Sequence, residues 1–306
     1  MTYSILKLIE LLGDQFPSLL NSVLNRIPIL VVGRDSEILD DLTESLTRLS
    51  PHRHKLVFWR EFTSSDEIRS VIEAEKHDHE VARTIVCCLS STISLALERI
   101  QNFASWIMAA CIRQDSYAHA MTEYQLGEIE EKVGASIRNV GTLRVESPSR
   151  IHFSLLKPSN SQLEVERRIV DIILTRKKQA LERIKRLLGK SLRGLELPKG
   201  MMKAVLQLDD EAEKITQDIF EEEIKGFVYA ARRAVTLLSR IRLARELGAS
   251  TVLTERNLYE AIGLDYGGLN ELIQFIRSEW HEDFSDCIKG GSLSGLGAWV
   301  DSMWGS

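Results

Sequence analysis

The feature that most constrains the fold is a short apolar segment that ends in glycine and precedes a helical pattern. Pro28 opens Ile29–Gly33, a continuous run rich in β-branched residues, which is typical of a strand buried on both faces. Asp35 and Ser36 then supply helix-start residues. Apolar side chains follow at helical spacing: Ile38, Leu39, Leu42, Leu46 and Leu49. The sequence therefore predicts a strand, a glycine turn and a helix.

Three more apolar runs follow this unit and alternate with helical patterns. The runs lie at residues 55–59, 84–89 and 106–112, with helices predicted at 68–74 and 93–103. Because each parallel strand connection requires a long crossover, this alternation predicts an α/β domain in which a parallel sheet is flanked by helices. A closing strand or an edge hairpin is expected around the proline turn between residues 142 and 155.

The order of these patterns along the chain predicts the domain organisation. The expected parts are N-terminal helices in 1–24, the α/β domain in 25–158, an all-helical domain in 159–285 and a glycine-rich tail in 286–306. The turn-forming residues 158–161 mark the main boundary. Helices are expected at 3–12 and 16–24, and then at 163–188, 201–208, 215–247 and 255–263.

The loop after the first strand is where a doubly wound sheet places a nucleotide. A P-loop that starts at Gly33 requires glycine and lysine at the positions of Ile38 and Leu39, and serine or threonine at Asp40. The sequence has none of these. Acidic residues surround the helix start instead and repel phosphate: Asp35, Glu37, Asp40 and Asp41. The loop is therefore interpreted as a stabilised helix N-terminus rather than a triphosphate site.

The residues that hydrolyse nucleotides are also missing from the sequence. The third run ends in Ser90 and Ser91, where a hydrolytic NTPase carries acidic residues for Mg²⁺ and water. These serines are interpreted as a helix cap. The Rossmann pattern G-x-G-x-x-G is absent around Gly33. Gly33 and Arg34 are the candidate contacts if any nucleotide binds, no catalytic residue is predicted, and the sequence favours a non-catalytic protein over an enzyme.

The histidines and cysteines do not predict a metal site. His77-Asp78-His79-Glu80 alternates possible ligands, but one such cluster without a second is typical of a solvated turn. Cys87, Cys88 and Cys111 lie in apolar runs, and no C-x-x-C pair is present. These cysteines, with Cys287, are expected to be free buried thiols. No metal and no cofactor are predicted.

The densest positive segment spans residues 176–193 of a chain whose formal net charge is −5. Leucine and isoleucine interleave its cations at helical spacing, so one helix face is apolar and the other is cationic. One interpretation is a solvated face beside the acidic residues 209–223. The other is a surface that contacts nucleic-acid phosphates through Arg176, Lys177, Lys178, Lys185, Arg186 and Lys190.

The segment from Ala230 to Ile262 resembles the lid domain of AAA+ proteins, in particular archaeal initiators and clamp-loader-type ATPases. It has an arginine after small residues, a leucine-rich helix, a glycine break and a second capped helix. The resemblance implies that Arg232 matches the lid arginine that reaches the γ-phosphate. It also implies that Leu237 and Leu238 are core residues and that Thr254 with Glu255 begins the last lid helix. With no Walker lysine or Walker acids, the resemblance implies a degenerate P-loop or AAA+-like member.

The leading hypothesis is a non-catalytic AAA+-like subunit or adaptor in a nucleic-acid-associated complex. Two alternatives stay open: a degenerate signalling or regulatory domain fused to a helical protein-interaction module, and an enzyme with an unrecognised site. A protein partner or a homo-oligomer is expected, and nucleic acid is a candidate partner through residues 176–193. Since no apolar run has the roughly 18 residues of a membrane span and the N-terminus lacks a secretory pattern, a cytoplasmic location without membrane contact is expected.

Overall fold

The computed structural model divides the chain into two compact units. The first contains Met1–Asn160 and Glu166–Ile224, and the second contains Ser161–Val165 and Lys225–Ser306. The structure describes residues 3–58, 66, 84–92, 105–112, 139–157, 162–191, 199–264 and 267–289. The predicted helices at 68–74 and 93–103 and the histidine cluster at 77–80 lie outside the described residues, apart from residue 66, which is exposed at a helical position.

A six-stranded sheet forms the centre of the first unit. Its strands are β1 Ile29–Gly33, β2 His54–Phe58, β3 Thr84–Cys88, β4 Trp106–Cys111, β5 Gly141–Ser147 and β6 Arg150–Leu155. They lie in the order β2-β3-β4-β1-β5-β6, and every neighbouring pair is parallel except β5 with β6. The predicted α/β class, a mostly parallel sheet with flanking helices, is confirmed.

Strand β1 lies in the middle of the sheet and is buried on both faces. It pairs on one side with β4, where Val31 aligns with Ala109, and on the other with β5, where Val31 aligns with Leu143. The strands β1, β3 and β4 are buried along their whole lengths. This burial explains their continuous apolar sequences, because the side chains on both faces of a buried strand are shielded from solvent.

The strands β5 and β6 form the antiparallel hairpin expected around the proline turn. Gly141, at the start of β5, faces Phe153 of β6, and a Cβ atom at Gly141 would lie 2.7 Å from the phenylalanine ring. Only glycine leaves room for this ring, so the close approach of the two strands explains the residue. The pairing register shifts between Val145 and Ser147, near the tip of the hairpin.

A glutamine side chain contacts the outer edge of β6. The Phe153 N–H donates to Gln15 Oε1 at 2.9 Å, and Gln15 Nε2 lies 2.7 Å from His152 Nδ1. Gln15 belongs to a short 3₁₀ turn, Gly13–Gln15, that joins two helices. The turn therefore positions the Gln15 side chain to accept a hydrogen bond from the Phe153 N–H, which faces away from β5.

Among the described residues of the first half of the chain, three helices flank the sheet. They are α1 Ile5–Leu12, α2 Phe16–Leu24 and α3 Ser36–Leu46. Ser4 caps α1 by accepting from the Lys7 N–H at 3.2 Å. The buried Arg53 donates to the carbonyls of Val23 and Leu24 at 2.6 and 2.7 Å, and thereby satisfies the last turn of α2. The predicted N-terminal helix pair is present.

After β6 the described residues are mainly helical, and they include one small pairing of short strands. The helices are α4 Glu164–Ser191, α5 Lys199–Glu246, α6 Glu255–Ile262 and α7 Leu269–Trp280. Two-residue strands, β7 Leu253–Thr254 and β8 Ile288–Lys289, pair in parallel. None of the described helices is both long and apolar enough to cross a membrane.

These helices differ from the predicted ones in two places. Helix α5 continues through residues 209–214, where a break was expected, because this acidic segment contains no proline or glycine and its residues tolerate a helix well. Helix α7 was not predicted, although Leu269, Leu272, Ile273 and Ile276 follow the helical spacing. The expected tail, 286–306, begins with the buried residues Cys287 and Ile288, and its residues 290–306 lie outside the described part.

An acidic side chain of α7 caps the first turn of α4 within the second unit. Glu271 Oε1 accepts from the Glu164 N–H at 2.7 Å, and Oε2 accepts from the Val165 N–H at 3.0 Å. Glu271 is buried, so the carboxylate's charge is compensated by these N–H groups at the positive end of the helix dipole. In the same unit the rings of Phe227 and Phe275 pack in a tilted arrangement, with their centroids 5.0 Å apart.

Candidate functional site

The strand order places the expected ligand position at the carboxyl ends of β1 and β4. The chain leaves β1 toward β2 on one side of the sheet and leaves β4 toward β5 on the other side. Such a reversal opens a crevice at the ends of the two strands, and open α/β sheets bind ligands there. Among the described residues, Gly33, Arg34 and Asp35 follow β1, Ile112 follows β4, and Ser90 follows the neighbouring strand β3.

The end of β1 is closed by close backbone contacts. The Ile112 N–H donates to the Gly33 carbonyl at 2.7 Å, and the Cys111 thiol lies 3.4 Å from the Arg34 carbonyl. A Cβ atom on Gly33 would lie 2.9 Å from the Val145 carbonyl oxygen of β5. Packing against β5 thus accounts for glycine at this position without a phosphate. Arg34 is exposed, and its guanidinium has no hydrogen bond or ion pair among the described residues.

The residues that a P-loop would leave as an open loop are wound into α3. The helix begins at Ser36, and Asp35 caps it. Asp35 Oδ1 accepts from the N–H groups of Glu37 and Ile38 at 3.0 and 3.2 Å, while its carbonyl accepts from the Leu39 N–H at 3.0 Å. A phosphate requires such N–H groups at a helix N-terminus. In this chain the Asp35 carboxylate occupies them, so the predicted stabilised helix start is present.

Leu39, at the position of the P-loop lysine, belongs to the core. Its side chain is fully buried, and its Cδ2 lies 3.1 Å from the position of a Cβ on Gly33. The side chain therefore points beneath the end of β1 rather than into the crevice. A lysine at this position would be buried in the core and could not reach a phosphate in the crevice.

A carboxylate and a hydroxyl meet where a P-loop NTPase holds Mg²⁺. Asp40, on α3, accepts from the Ser90 N–H at 2.7 Å and from the Ser90 hydroxyl at 3.0 Å. In P-loop NTPases the hydroxyl lies on the helix and the carboxylate follows the strand, and the two hold the metal between them. In this chain the carboxylate lies on the helix and the hydroxyl follows the strand, and the two are hydrogen-bonded directly to each other.

The Asp40 carboxyl is partly desolvated by this arrangement. Burial raises its pKa above the ordinary value, and the two hydrogen bonds from Ser90 oppose that rise without cancelling it. The predicted cap role of Ser90 concerns residues after 92, which lie outside the described part. What the structure describes is a Ser90 hydroxyl directed to α3.

The basic segment of α4 is partly neutralised by acidic side chains. Arg176 forms ion pairs with Glu222 at 3.3 Å and with Glu223 at 3.0 Å, and Lys177 lies 3.5 Å from Glu10. Lys178 is exposed. The side chains of Lys185, Arg186 and Lys190 lie outside the described residues. The described part of the segment therefore fits a solvated, charge-paired face better than an open phosphate surface.

Arg232 lies in the second unit, on the wall of a groove of about 380 Å³ between α5 and α6. The other lining side chains include Tyr229, Thr236, Leu237, Arg240 and Ile262. Arg233 donates to the Ala261 carbonyl at 2.6 Å, near the end of α6. Leu238 is buried, as the lid resemblance implied, but Leu237 is half-exposed because it turns toward the groove. Thr254 caps α6 by accepting from the Asn257 N–H at 3.3 Å.

Sequence reasoning singled out Arg232 but missed its neighbours Tyr229, Arg233 and Arg240. A signal for them exists in the sequence. Between Glu223 and Glu246 the chain contains six cationic residues and no acidic residue. This charge bias on a predicted helix is clearer than that of residues 176–193, where a long acidic stretch follows.

The cysteines are free and buried, as predicted. Burial raises the pKa of the Cys87 thiol to about 12, and it raises the pKa of the Cys88 thiol as well. Such thiols are poor nucleophiles at neutral pH. In the described residues no group of three or more metal-ligating side chains comes together.

A second depression, of about 670 Å³, lies in the first unit. Its rim carries charges of both signs, among them Arg48, Lys214, Glu213 and Glu221. The mixture selects neither an anionic nor a cationic ligand.

No protein-family model matches the chain, and neither a curated protein nor a solved structure matches it.

Proposed function

We propose that this chain is a non-catalytic AAA+-like subunit or adaptor that acts within a nucleic-acid-associated complex. The observation that carries the proposal is the cap of α3. Asp35 accepts hydrogen bonds from the N–H groups that would bind phosphate. These groups lie at the end of β1, where the strand order of an open α/β sheet places its ligand. The chain thus has the framework of a nucleotide-binding protein with the phosphate position filled by its own side chain.

The order of the parallel strands supports the AAA+ part of the proposal. AAA+ cores place their strands in the order β5-β1-β4-β3-β2, and strands β1 to β5 of this chain follow the same order. The helical region after the sheet adds the lid-like segment from Ala230 to Ile262, with Thr254 as the cap of its last helix. Fold likeness alone does not define an activity, so the site decides the function.

The site supports a scaffold rather than an ATPase. Asp40 and Ser90 satisfy each other, Leu39 is buried, and Asp35 repels a triphosphate. A subunit of this kind contributes surfaces to an assembly whose other members perform the chemistry. Arg176 and Lys177 already form ion pairs, so direct binding of nucleic acid through these two residues is weak. This favours association through a protein partner.

Titration of the purified chain with Mg-ATP tests the proposal. We expect no heat of binding in calorimetry at micromolar to high-micromolar ATP and no phosphate release above the buffer rate. Micromolar binding with turnover that Arg232→Ala abolishes would overturn it, because that result requires a working lid arginine. A matched control is Arg277→Ala, which removes an arginine of α7 that pairs with Asp283 and does not line the groove.

A further inference from the structure

One face of α5 in the second unit repeats its composition along the helix. The face is formed by Tyr229, Arg232, Leu237, Arg240 and Leu243, together with Leu247 directly after the last helical residue, and the term α5 face refers to these six residues. At about 100° of rotation per residue, the five helical residues point to one side of the helix. Five of the six are exposed, and the helical residues from Tyr229 to Leu243 span about 21 Å, which is the rise of 14 residues.

The arginines of α5 fall into two groups. Arg242 and Arg245 form ion pairs with Glu282 at 2.8 Å and with Asp286 at 2.9 Å. Arg232 and Arg240 are exposed, and within the described part of the chain neither has an ion pair. The first group holds the unit together, whereas the second group presents uncompensated positive charge.

Arg233 adds a third positive charge beside the α5 face. Its hydrogen-bond acceptor, the Ala261 carbonyl, is neutral, so the guanidinium keeps its charge. That contact also fixes the side chain at the end of α6, where the helix dipole is negative. The groove therefore has a cationic wall in which the position of Arg233 is fixed by a hydrogen bond.

Exposed apolar side chains flank these cations. Tyr229 is 64% exposed, Leu243 is 56% exposed and Leu247 is 81% exposed. Among the described residues, four of the six large apolar side chains that are exposed lie between 229 and 252. Apolar groups concentrated in this way, together with tyrosine and arginine, are typical of protein-binding surfaces.

We propose that the α5 face binds an acidic amphipathic helix of a partner protein. Charge complementarity defines the acidic side, because the face presents arginines and no carboxylate. Arg232 and Arg240 are about 12 Å apart along the axis, so carboxylates two turns apart on the partner meet both. Leucine or phenylalanine on the same side of the partner covers Leu237 and Leu243. This proposal does not depend on whether the chain binds a nucleotide.

Single-stranded nucleic acid fits the α5 face less well. Such ligands stack their bases on a series of aromatic side chains beside the cations. The face has one aromatic residue, Tyr229, and its other apolar members are leucines, which provide contact area but no stacking platform. Nucleic acid is therefore the competing outcome of the test.

Fluorescence anisotropy with the full chain and three labelled probes provides that test. The first probe is a peptide of about 20 residues, about 30 Å of helix, with leucine at helical spacing and glutamate elsewhere. The second has lysine in place of every glutamate, and the third is oligothymidine of the same length. We expect the acidic peptide to bind with a Kd on the order of tens of micromolar at low salt and the lysine peptide not to bind.

Two double variants separate the charges from the apolar contacts. Arg232→Glu with Arg240→Glu should weaken the acidic peptide at least about tenfold. Leu243→Ser with Leu247→Ser should also weaken binding of the acidic peptide, because it removes apolar contact area. A purely electrostatic attraction would be unchanged by these two substitutions. The matched control is Arg167→Glu with Arg168→Glu, two exposed arginines of α4 that give the same change in net charge. All substituted side chains are exposed, and circular dichroism checks that each variant is folded.

Three results would overturn the proposal. The acidic peptide does not bind, or its binding is the same in the Arg232→Glu, Arg240→Glu variant as in the wild type. Alternatively, oligothymidine binds more tightly than the acidic peptide and loses that binding in the same variant, which would assign the face to nucleic acid. Saturable acidic-peptide binding that both double variants weaken supports it.

Discussion

Asp40 accepts both the backbone N–H and the hydroxyl of Ser90, at 2.7 and 3.0 Å, and thereby joins α3 to the end of β3. Replacing Asp40 by alanine leaves the Ser90 N–H without its acceptor in a partly buried position. We expect Asp40→Ala to lower the free energy of unfolding by about 1–3 kcal/mol. Asp40→Asn should lie within about 1 kcal/mol of the wild type, because the amide accepts from the N–H and donates to the hydroxyl. Urea denaturation at pH 7 measures both.

The stability of the wild type and that of Asp40→Asn should depend differently on pH. Because the pKa of Asp40 is raised in the folded state, its protonation favours folding below the ordinary value of 3.8, and that contribution is lost as the pH rises through the folded pKa. The wild type should therefore lose stability relative to Asp40→Asn as the pH rises from 3.8 through the folded pKa of Asp40. A constant difference across this range would contradict the burial of Asp40.

Leu39→Lys should fail to recreate a P-loop. The side chain at this position is fully buried beneath β1, so an ammonium group there would be desolvated. We expect a loss of roughly 3 kcal/mol or more, without any gain in ATP affinity. The matched control is Ile38→Lys at the neighbouring, half-exposed position, which should cost much less. Thermal melting and calorimetry with Mg-ATP provide the two measurements. A stable Leu39→Lys protein that binds ATP would show that the crevice is open.

Glu271→Ala should destabilise the second unit, because the Glu164 and Val165 N–H groups both lose their acceptor. Hydrogen bonds to a charged group make the expected cost about 2–4 kcal/mol. Asn270→Ala, at an exposed position one residue earlier on α7, should change stability by less than about 0.5 kcal/mol. Equilibrium unfolding in urea distinguishes the two. Equal effects would mean that the Glu271 contacts contribute little.

Alkaline pH should destabilise the fold through the buried thiols. The Cys87 thiol ionises at its ordinary pKa of 9.0 when unfolded but only at about 12 when folded. Above pH 9 the unfolded chain therefore binds fewer protons than the native one, so stability falls until the folded pKa is reached. The slope that Cys87 adds is at most about 1.4 kcal/mol per pH unit. Cys87→Ala should reduce the slope measured by urea denaturation between pH 9 and pH 11, whereas an unchanged slope would place the thiol in water.

Any direct nucleic-acid binding by α4 should be weak and strongly dependent on salt. Arg176 and Lys177 are already paired with acids, so these two cations contribute little to counterion release. Joint replacement of Lys177, Lys178, Lys185 and Arg186 by glutamate should abolish any such binding. A gel shift at about 50 mM salt with tens of micromolar protein makes non-specific binders visible. No shift under those conditions would remove nucleic acid from the partners of this helix.

The strands were predictable because burial on both faces produces continuous apolar runs such as Ile29–Gly33. Helix α7 directly follows the turn at Gly267 and Gly268 and was not predicted, although helical spacing begins at Leu269. The break expected in α5 at residues 209–214 was wrong, because acidic residues are compatible with a helix.

The candidate site was predictable only as a set of missing residues. The sequence shows that Asp40 stands where a hydroxyl is needed and that Ser90 stands where an acid is needed. It does not show that the two bond to each other, because they are 50 positions apart and meet only when α3 packs beside β3. The pairing of Arg176 with Glu222 and Glu223 was likewise open, since nearby acids can neutralise a basic helix or merely coexist with it.

The Gln15 side chain limits how this protein can be joined to others. A strand that adds to the edge of a sheet must accept hydrogen bonds from the free N–H groups of the outermost strand. At Phe153 that group already donates to Gln15. Growth of the sheet past β6 would require the amide to leave, so chains of this kind resist stacking into fibres along that edge. This protection applies to the β6 edge alone, because β2 forms the opposite edge of the sheet.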